Sequence, residues 1–359
     1  MTDPREARQA RLRERLRAES LAGLLVTHQP NIRYLTGFTG SSGAVLVLPG
    51  ETILVTDFRY ETQAPDEVGH HARVEIVRAD LWERVARFAS RTRGEGWGFE
   101  SESTTVATAR KLADQGLPGL RPVGGLVEDL RVRKSQGEVD AIRAAADLAA
   151  DAFAATVPAV RPGASEAEIA AVLEGELRRR GSEWHPFPTI VASGPRSALP
   201  HANTGRRVVR PNEGVLLDFG AQVDGYCADL TRVVVAGTAD DRLRMVFELV
   251  RDAQAQALEG LRAGLTGKEG DALARSLIEQ RGFGEAFGHS LGHGLGLEVH
   301  EAPRVSRTNE KPLPEDSVVT VEPGVYLPGW GGIRLEDDVR LTAQGAELLS
   351  RRQIGLIQP

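Results

Sequence analysis

The chain contains 359 residues, of which 41% are hydrophobic and 26% are charged, a balance that excludes disordered and fibrous classes of protein. No run approaches the roughly 18 apolar residues needed to cross a bilayer. The charged first twenty residues lack a signal-peptide core, so we expect a cytoplasmic protein without a membrane partner. The net charge of −6 and the single cysteine, Cys227, argue against nucleic-acid binding, an intrachain disulfide and a cysteine-based zinc site.

Helical and strand-like patterns alternate in the first part of the chain. Leu12 and Leu16 recur at helical spacing among charged residues, and residues 81–94 show a similar pattern. Short apolar runs indicate strands, and they lie at 21–27, 44–49, 52–57 and 97–100. This alternation predicts an α/β amino-terminal domain over residues 1–128, followed by a second domain over residues 129–359.

Long helices open the predicted second domain. The Ala-rich amphipathic stretch 131–160 predicts one helix, and a second begins at Ser165, whose spacing to Glu168 is that of a capping box. Beyond these helices the sequence is strand-like and punctuated by glycine and proline, with further helical segments at 240–262 and 267–281.

Two aspartates interrupt apolar strands in the segment GVLLDFGAQVDGYCADLTRVVV. Asp224-Gly225 between the strands is a strong hairpin signal, and a two-residue turn there pairs Asp218 with Thr231. Asp229 then lies two positions away on the same face, close enough for both carboxylates to converge. Two alternatives are open for Asp218 and Asp229. They are exposed turn acids or acids paired with arginines, or else they are buried acids that need another counter-charge. The apolar neighbours favour burial, for which a divalent metal is an economical counter-charge.

A second pair of acids, Glu322 and Glu336, flanks the glycine-rich loop 328–332. A hairpin centred on Gly329 would make the two glutamates face each other directly. The alternative is a pair of solvent-facing acids in a hairpin.

Five of the eight histidines follow residue 180, and His289 and His293 among them are four residues apart. That spacing fits one face of a strand or one turn of a helix. The neighbouring glycines argue against a helix, so we expect a strand. The segment lacks the spacing of a dinucleotide-binding or phosphate-binding motif and is not the helical zinc signature. Each histidine is either a hydrogen-bonded core residue or a ligand.

Five short motifs carry these residues in order, namely LLDFG, ADLTR, GHGLG, VEPG and RLEDDV. Together they resemble the metal-binding motifs of the pita-bread metallopeptidases, in the branch that contains Xaa-Pro dipeptidase (prolidase) and aminopeptidase P. The resemblance covers nearly the whole chain. It implies a small α/β amino-terminal domain followed by a pseudo-symmetric α+β pita-bread catalytic domain.

The resemblance also implies a ligand set for two divalent metal ions per chain. Asp218 would bind one ion, Asp229 and Glu336 would bridge both, and His293 and Glu322 would bind the other. Four carboxylates balance the charge of two divalent ions. One nitrogen among oxygen ligands favours Mn²⁺, with Co²⁺ and Zn²⁺ as alternatives, whereas Cys227 is expected to be a small packed residue.

Hydrolysis of the Xaa-Pro bond in small peptides with proline at the second position is the implied reaction. Glu322 would also move a proton from water towards the leaving nitrogen, while His201 and His300 match histidines that contact the substrate and the intermediate. His289 matches a further histidine near the site. Arg334 would orient the bridging carboxylates, the alternative being an ordinary surface arginine.

Arg304, four residues after His300, matches the position at which prolidase-like members bind the carboxylate of a dipeptide. If it has another role, aminopeptidase P is the second candidate. A non-catalytic binding protein of the same fold, creatine amidinohydrolase and methionine aminopeptidase fit the ligand set or the length of the chain less well. Relatives are commonly homodimers, and we expect the segment from Phe38 to Ser42 to contact a neighbouring protomer.

Overall fold

The structure, a computed structural model, describes residues 3–90, 96–117 and 119–358. It separates into two compact units, Met1–Arg131 and Val132–Pro359. Within the described residues, no helix combines the length and the apolar composition that crossing a membrane would require.

The described part of the amino-terminal unit contains one six-stranded sheet. Its strands are β1 (Gly23–Val26), β2 (Ala44–Val47), β3 (Thr52–Asp57), β4 (Arg73–Val77), β5 (Trp97–Glu100) and β6 (Arg121–Val123). They lie in the order β4-β3-β2-β1-β5-β6, with β1 antiparallel to β2 and parallel to β5. The four predicted strands are confirmed as β1, β2, β3 and β5. Every residue of β1 and β2 is buried, which explains why these runs are continuously apolar.

The helices of this unit include two that the sequence patterns predicted, α1 and α4. Their bounds are α1 (Pro4–Ala18), α2 (Gln29–Thr36), α3 (Gln63–Val68), α4 (Leu81–Ala89), α5 (Val106–Asp114) and α6 (Glu128–Arg131). The helix predicted over 81–94 ends at Ala89, and its residues 91–94 lie outside the described residues. Phe38, predicted to contact a neighbouring protomer, is buried against Tyr60, whereas Thr39 and Ser41 beside it are exposed.

The described part of the carboxy-terminal unit contains four long helices. Their bounds are α7 (Gln136–Thr156), α8 (Glu166–Arg179), α9 (Asp241–Gly260) and α10 (Gly267–Gln280). The capping box of α8 is confirmed, since Ser165 N–H donates to Glu168 Oε2 (2.7 Å). The helix predicted over 131–160 is shorter than expected. Ser135 caps it through a second capping box with Glu138, and this box fixes the start of α7.

The strands of this unit form a three-stranded sheet, a five-stranded sheet and two ribbons in its described residues. Their bounds are β7 (Ile190–Ser193), β8 (Gly214–Phe219), β9 (Gln222–Val223), β10 (Tyr226–Cys227), β11 (Leu230–Val235), β12 (Gly292–Gly294), β13 (Glu301–Val305), β14 (Val318–Val321), β15 (Gly324–Leu327), β16 (Gly331–Arg334), β17 (Asp337–Leu341) and β18 (Ala346–Leu348). The two larger sheets have the orders β11-β8-β7 and β13-β12-β14-β17-β18.

Alternation along the strands separates an apolar face from a polar face in both larger sheets. In β8, Leu217 and Phe219 join the apolar core that includes residues of α7 and α8, whereas Asp218 between them points the other way. In β14, Val319 and Val321 join the core that includes residues of α9 and α10, and Thr320 points the other way. The polar faces are joined by a bridge between Thr231 and Glu336.

Candidate active site

The first predicted hairpin has the register that its turn requires. Asp224 and Gly225 both have positive φ angles, 49° and 78°, as a two-residue type I′ turn demands. The flanking strands pair Asp218 with Thr231, which confirms the sequence prediction. Asp229 immediately precedes β11 and is 5% exposed, so the two aspartates are buried acids of one hairpin rather than exposed ones.

The second predicted hairpin is also confirmed. In β14 and β17, Val321 pairs with Asp337, and β15 and β16 continue the same register about a turn centred on Gly329. Glu322 and Glu336 therefore occupy opposite positions between the two paired stretches. Glu336 is 2% exposed, which excludes a solvent-facing role for it.

His293 lies on β12, directly across from Arg304 on β13. The Nδ1 atom of His293 lies 3.1 Å from the Gly294 carbonyl oxygen. A carbonyl can only accept a hydrogen bond, so Nδ1 carries the proton and Nε2 presents a lone pair. This nitrogen lies 3.6 Å from Glu322 Oε1 and 3.8 Å from Asp229 Oδ2. The expectation of one strand through both histidines was wrong, because β12 begins at Gly292 and His289 lies in a bend before it.

A cavity of about 380 Å³ in the carboxy-terminal unit brings all the predicted site residues together. These residues are His201, Asp218, Asp229, His289, His293, His300, Arg304, Glu322, Arg334 and Glu336. Part of the cavity wall is apolar and is formed by Phe187, Pro188, Ile190, Pro200 and Ala202. The cavity therefore combines a floor of acids and histidine with an apolar surface that could hold a small substrate.

Burial raises the pKa of the four clustered carboxylic acids. The pKa of Glu336 rises to about 7, through burial and then through the neighbouring charge of Asp218. The pKa values of Asp229 and Glu322 are raised well above their ordinary values by burial and then by Glu336. Without a metal ion, the guanidinium of Arg334 offsets part of this cost, and the site can offset more of it by binding protons.

The donor set fits a divalent metal ion. Asp229, His293 and Glu336 each offer one ligand atom, and these three atoms lie within 4.8 Å of one another. The Oδ1 atom of Asp229 is buried and has no hydrogen-bond partner among the described residues, which leaves its lone pairs available. Burial lowers the pKa of His293 to about 3, so its imidazole is neutral and can bind a metal at neutral pH.

These pKa shifts predict how the stability of the metal-free protein depends on pH. The pKa of Glu336 is about 7 in the folded protein, against an ordinary value of 4.5. The contribution of Glu336 to the free energy of unfolding is therefore fully present below pH 4.5 and is lost as the pH rises through 7. A rise of this size corresponds to about 3 kcal/mol of unfolding free energy. In urea unfolding of chelated protein between pH 5 and pH 8, Glu336→Gln should show a smaller decrease than the wild type. An equal decrease in both proteins would contradict this origin.

Arg334 is a buried residue of the site and not a surface arginine. It is 4% exposed, and its guanidinium donates to Asp218 Oδ2 (2.5 Å) and Thr231 Oγ1 (2.9 Å). Thr231 in turn donates to Glu336 Oε2 (2.5 Å), which lies 4.0 Å from Arg334 Nε. Arg334 therefore holds Asp218 directly and reaches Glu336 chiefly through the hydroxyl of Thr231. The predicted orienting role towards the bridging carboxylates stays a prediction.

Two further residues support the site and were not predicted from the sequence. Tyr326 accepts a hydrogen bond from Arg334 (2.9 Å), and its hydroxyl lies 2.9 Å from His289 Nε2. Asp338 accepts a hydrogen bond from the main-chain N–H of Asp229 (3.1 Å). The alternation of β17 places Asp338 on the polar side of the sheet, and this was a usable signal.

His300 and Arg304 form the outer part of the wall. The rings of His300 and His293 lie 4.3 Å apart, and burial followed by the charge of Arg304 lowers the pKa of His300. Among the described residues, the guanidinium of Arg304 has no hydrogen-bond or ion-pair partner. It is thus a cation at the edge of the cavity that is available to an anionic group.

Fold and site together define a metal-dependent peptidase, and comparison with known proteins identifies its family. Residues 140–343 match metallopeptidase family M24, and residues 8–133 match the Creatinase/Prolidase N-terminal domain. The chain belongs to metallopeptidase family M24, as its motifs predicted, and it has the predicted α/β and pita-bread domains.

Three relatives illustrate the similarity. The uncharacterized peptidase YqhT of Bacillus subtilis is 40% identical over 93% of this chain and 95% of its own length. The structure of an Xaa-Pro dipeptidase from Bacillus anthracis is 37% identical, with a TM-score of 0.96 over 99% of this chain and 100% of that one. The structure of an X-Pro aminopeptidase from Thermotoga maritima is 38% identical, with a TM-score of 0.90 over 98% and 99% of the two chains.

Proposed function

We propose that this metallopeptidase hydrolyses the Xaa-Pro bond of dipeptides and uses two divalent ions, with Mn²⁺ as the metal. The observation that carries the proposal is the convergence in one cavity of three buried carboxylates, the partly buried carboxylate of Glu322, a neutral imidazole and a guanidinium that has no partner among the described residues. The Xaa-Pro dipeptidase of Bacillus anthracis, whose structure is so similar, supports the substrate class. Homodimeric assembly is part of the same proposal and is tested by sedimentation.

Five residues would hold the two ions. Asp218 would bind one ion, His293 and Glu322 the other, and Asp229 and Glu336 both. The set contains one nitrogen and otherwise oxygen donors, which suits Mn²⁺. When bound, such a pair of ions polarises the scissile carbonyl and lowers the pKa of the attacking water.

The remaining chemistry falls to side chains of the cavity. Glu322, whose side chain is 16% exposed, is the proposed general base, which takes a proton from water and delivers it to the departing proline nitrogen. The lowered pKa of His300 keeps its imidazole neutral, so that a ring N–H can donate to the charge that develops on the carbonyl oxygen. His201, which also lines the cavity, is proposed to donate to the same charge.

Arg304 is proposed to bind the free carboxylate that follows proline in a dipeptide. A guanidinium suits a bidentate contact with a carboxylate, which contributes roughly 1.5–3 kcal/mol. Arg304→Ala should therefore lower kcat/KM for Leu-Pro by roughly 10–150-fold. The effect on Leu-Pro-amide should be much smaller, because the amide lacks the carboxylate.

Arg307→Ala is the matched control, because Arg307 is an exposed arginine three residues away that does not line the cavity. It should leave kcat/KM unchanged for both Leu-Pro and Leu-Pro-amide.

The second candidate function is that of an Xaa-Pro aminopeptidase, in keeping with the name of the Thermotoga maritima structure. Equal losses on Leu-Pro and its amide, or efficient wild-type cleavage of long Xaa-Pro peptides, would favour this second candidate.

A further inference from the structure

His201 is carried by a loop that lacks a regular strand or an α-helix. This loop, residues 194–204, is called here the His201 loop. It starts with a short 3₁₀ turn over Gly194–Ala198 and then lines the cavity with residues 200–204. His201 itself is exposed, so its position depends on what holds the loop.

Glu166 bonds to both ends of the His201 loop. It is the first residue of α8 and is 0% exposed. Its Oε1 atom accepts hydrogen bonds from Ser193 N–H (2.8 Å) and from Ser193 Oγ (2.9 Å), just before the loop. Its Oε2 atom accepts from Gly205 N–H (3.2 Å), just after the loop. One buried carboxylate therefore closes the base of the loop.

Arg196 links this carboxylate to the body of the loop. Its Nε atom lies 3.0 Å from Glu166 Oε2, and the other side of its guanidinium donates to the main-chain carbonyl of Asn203. The ion pair thus crosses the loop from its first turn to the residue that comes two positions after His201.

The far side of the loop rests on β16. Gly332 N–H donates to Ser197 Oγ (2.8 Å), and a Cβ atom at Gly332 would lie 2.2 Å from the Ser197 carbonyl oxygen. Arg334 also donates to the Pro200 carbonyl (3.3 Å). The loop is therefore held between Glu166 on one side and the strand that carries Arg334 on the other.

We infer that Glu166 and Arg196 are positioning residues for catalysis, which fix His201 against the reacting carbonyl by clamping its loop. The inference rests on the role proposed for His201. Neither residue lines the cavity, so both act through the loop. Small displacements of a correctly placed group cost large factors in rate, which gives the clamp a kinetic effect without any contact with the substrate.

Glu166→Gln is the direct test. The partners of the carboxylate are N–H and O–H groups, and an amide presents N–H groups on one arm, so one end of the loop loses its acceptor. E166Q should lower kcat on Leu-Pro by about tenfold or more, with KM changed by less than about threefold and the metal content unchanged. The control is E168Q, which alters an exposed glutamate in the capping box of the same helix and should change kcat by less than about twofold.

A double-mutant cycle separates positioning from general destabilisation. In a His201→Ala background, E166Q should lower kcat by less than about twofold further, because the group that it positions is absent. The same tenfold loss in both backgrounds would overturn the inference. If E166Q fails to fold, R196Q takes its place, since the Arg196 side chain is 34% exposed and its removal leaves no buried cavity.

Hydrogen exchange gives a readout that does not depend on activity. Amides of residues 194–204 should exchange faster in E166Q than in the wild type, and they should be unchanged in E168Q. Unchanged exchange in E166Q would overturn the clamp. A wild-type protein without Xaa-Pro activity would instead overturn the proposed function, while the exchange result would still decide whether Glu166 holds the loop.

Discussion

Asp229→Asn should abolish hydrolysis of Leu-Pro, with a loss in kcat/KM of at least about 10³-fold. Asp229 offers a buried oxygen that has no hydrogen-bond partner among the described residues, and ligand atoms of Asp229, His293 and Glu336 lie within 4.8 Å of one another. An amide has no charge to balance a divalent ion and only one oxygen to offer it. Metal analysis should show less than two ions per chain in the variant, against two in the wild type.

Asp224→Asn is the matched control for this prediction. It makes the same chemical change in the same hairpin, at an exposed turn residue with a φ of 49°, a conformation that asparagine tolerates. It should keep full activity and metal content.

Chelated wild-type protein should be inactive and should regain activity with Mn²⁺ or Co²⁺. Full activity of metal-free protein would contradict the metallopeptidase mechanism.

His300→Ala and His201→Ala should each lower kcat by about 10²–10⁴-fold while the metal content stays unchanged. Both side chains line the cavity, and loss of a donor to the developing charge has effects of this size. Steady-state kinetics with metal analysis of the same samples measures both quantities. Loss of metal in either variant would show that the histidine is a ligand instead.

His185→Ala is the control for the two histidine substitutions. His185 stacks on Trp184 and does not line the cavity, so its removal should leave kcat unchanged. A comparable loss in this variant would mean that removing any histidine of this unit disturbs the fold.

The first hairpin was predictable because the chemistry of its turn fixes the register of its strands, whereas the register of the second followed only from the assumption of a turn centred on Gly329. Asp224-Gly225 requires positive φ angles, which nearly determines the pairing of Asp218 with Thr231. The start of α7 was equally readable, since the capping box of Ser135 and Glu138 is present in the sequence. The longer helix was predicted because the apolar periodicity was used alone, without the start that this capping box marks.

The contacts between the β15–β16 ribbon and the three-stranded sheet could not be predicted from the sequence. Arg334 binds Asp218 because β16 and β8 lie near each other in space, whereas the hairpin pattern relates Arg334 only to its own strand partner. The contact of Tyr326 with His289 has the same origin, whereas its contact with Arg334 lies within the β15–β16 ribbon, where Tyr326 pairs with Gly332. Local periodicity describes neighbours along a chain or across a hairpin. It carries no information on which sheets place their polar faces against each other.

The bridge between Thr231 and Glu336 has a consequence for the order of events in folding. The residues that it joins are 105 positions apart, so the complete ligand set exists only after a long loop has closed. We therefore expect metal ions to bind after this unit has folded rather than to nucleate its folding. Added metal should lengthen the lifetime of the native enzyme by slowing unfolding and leave the rate of refolding nearly unchanged.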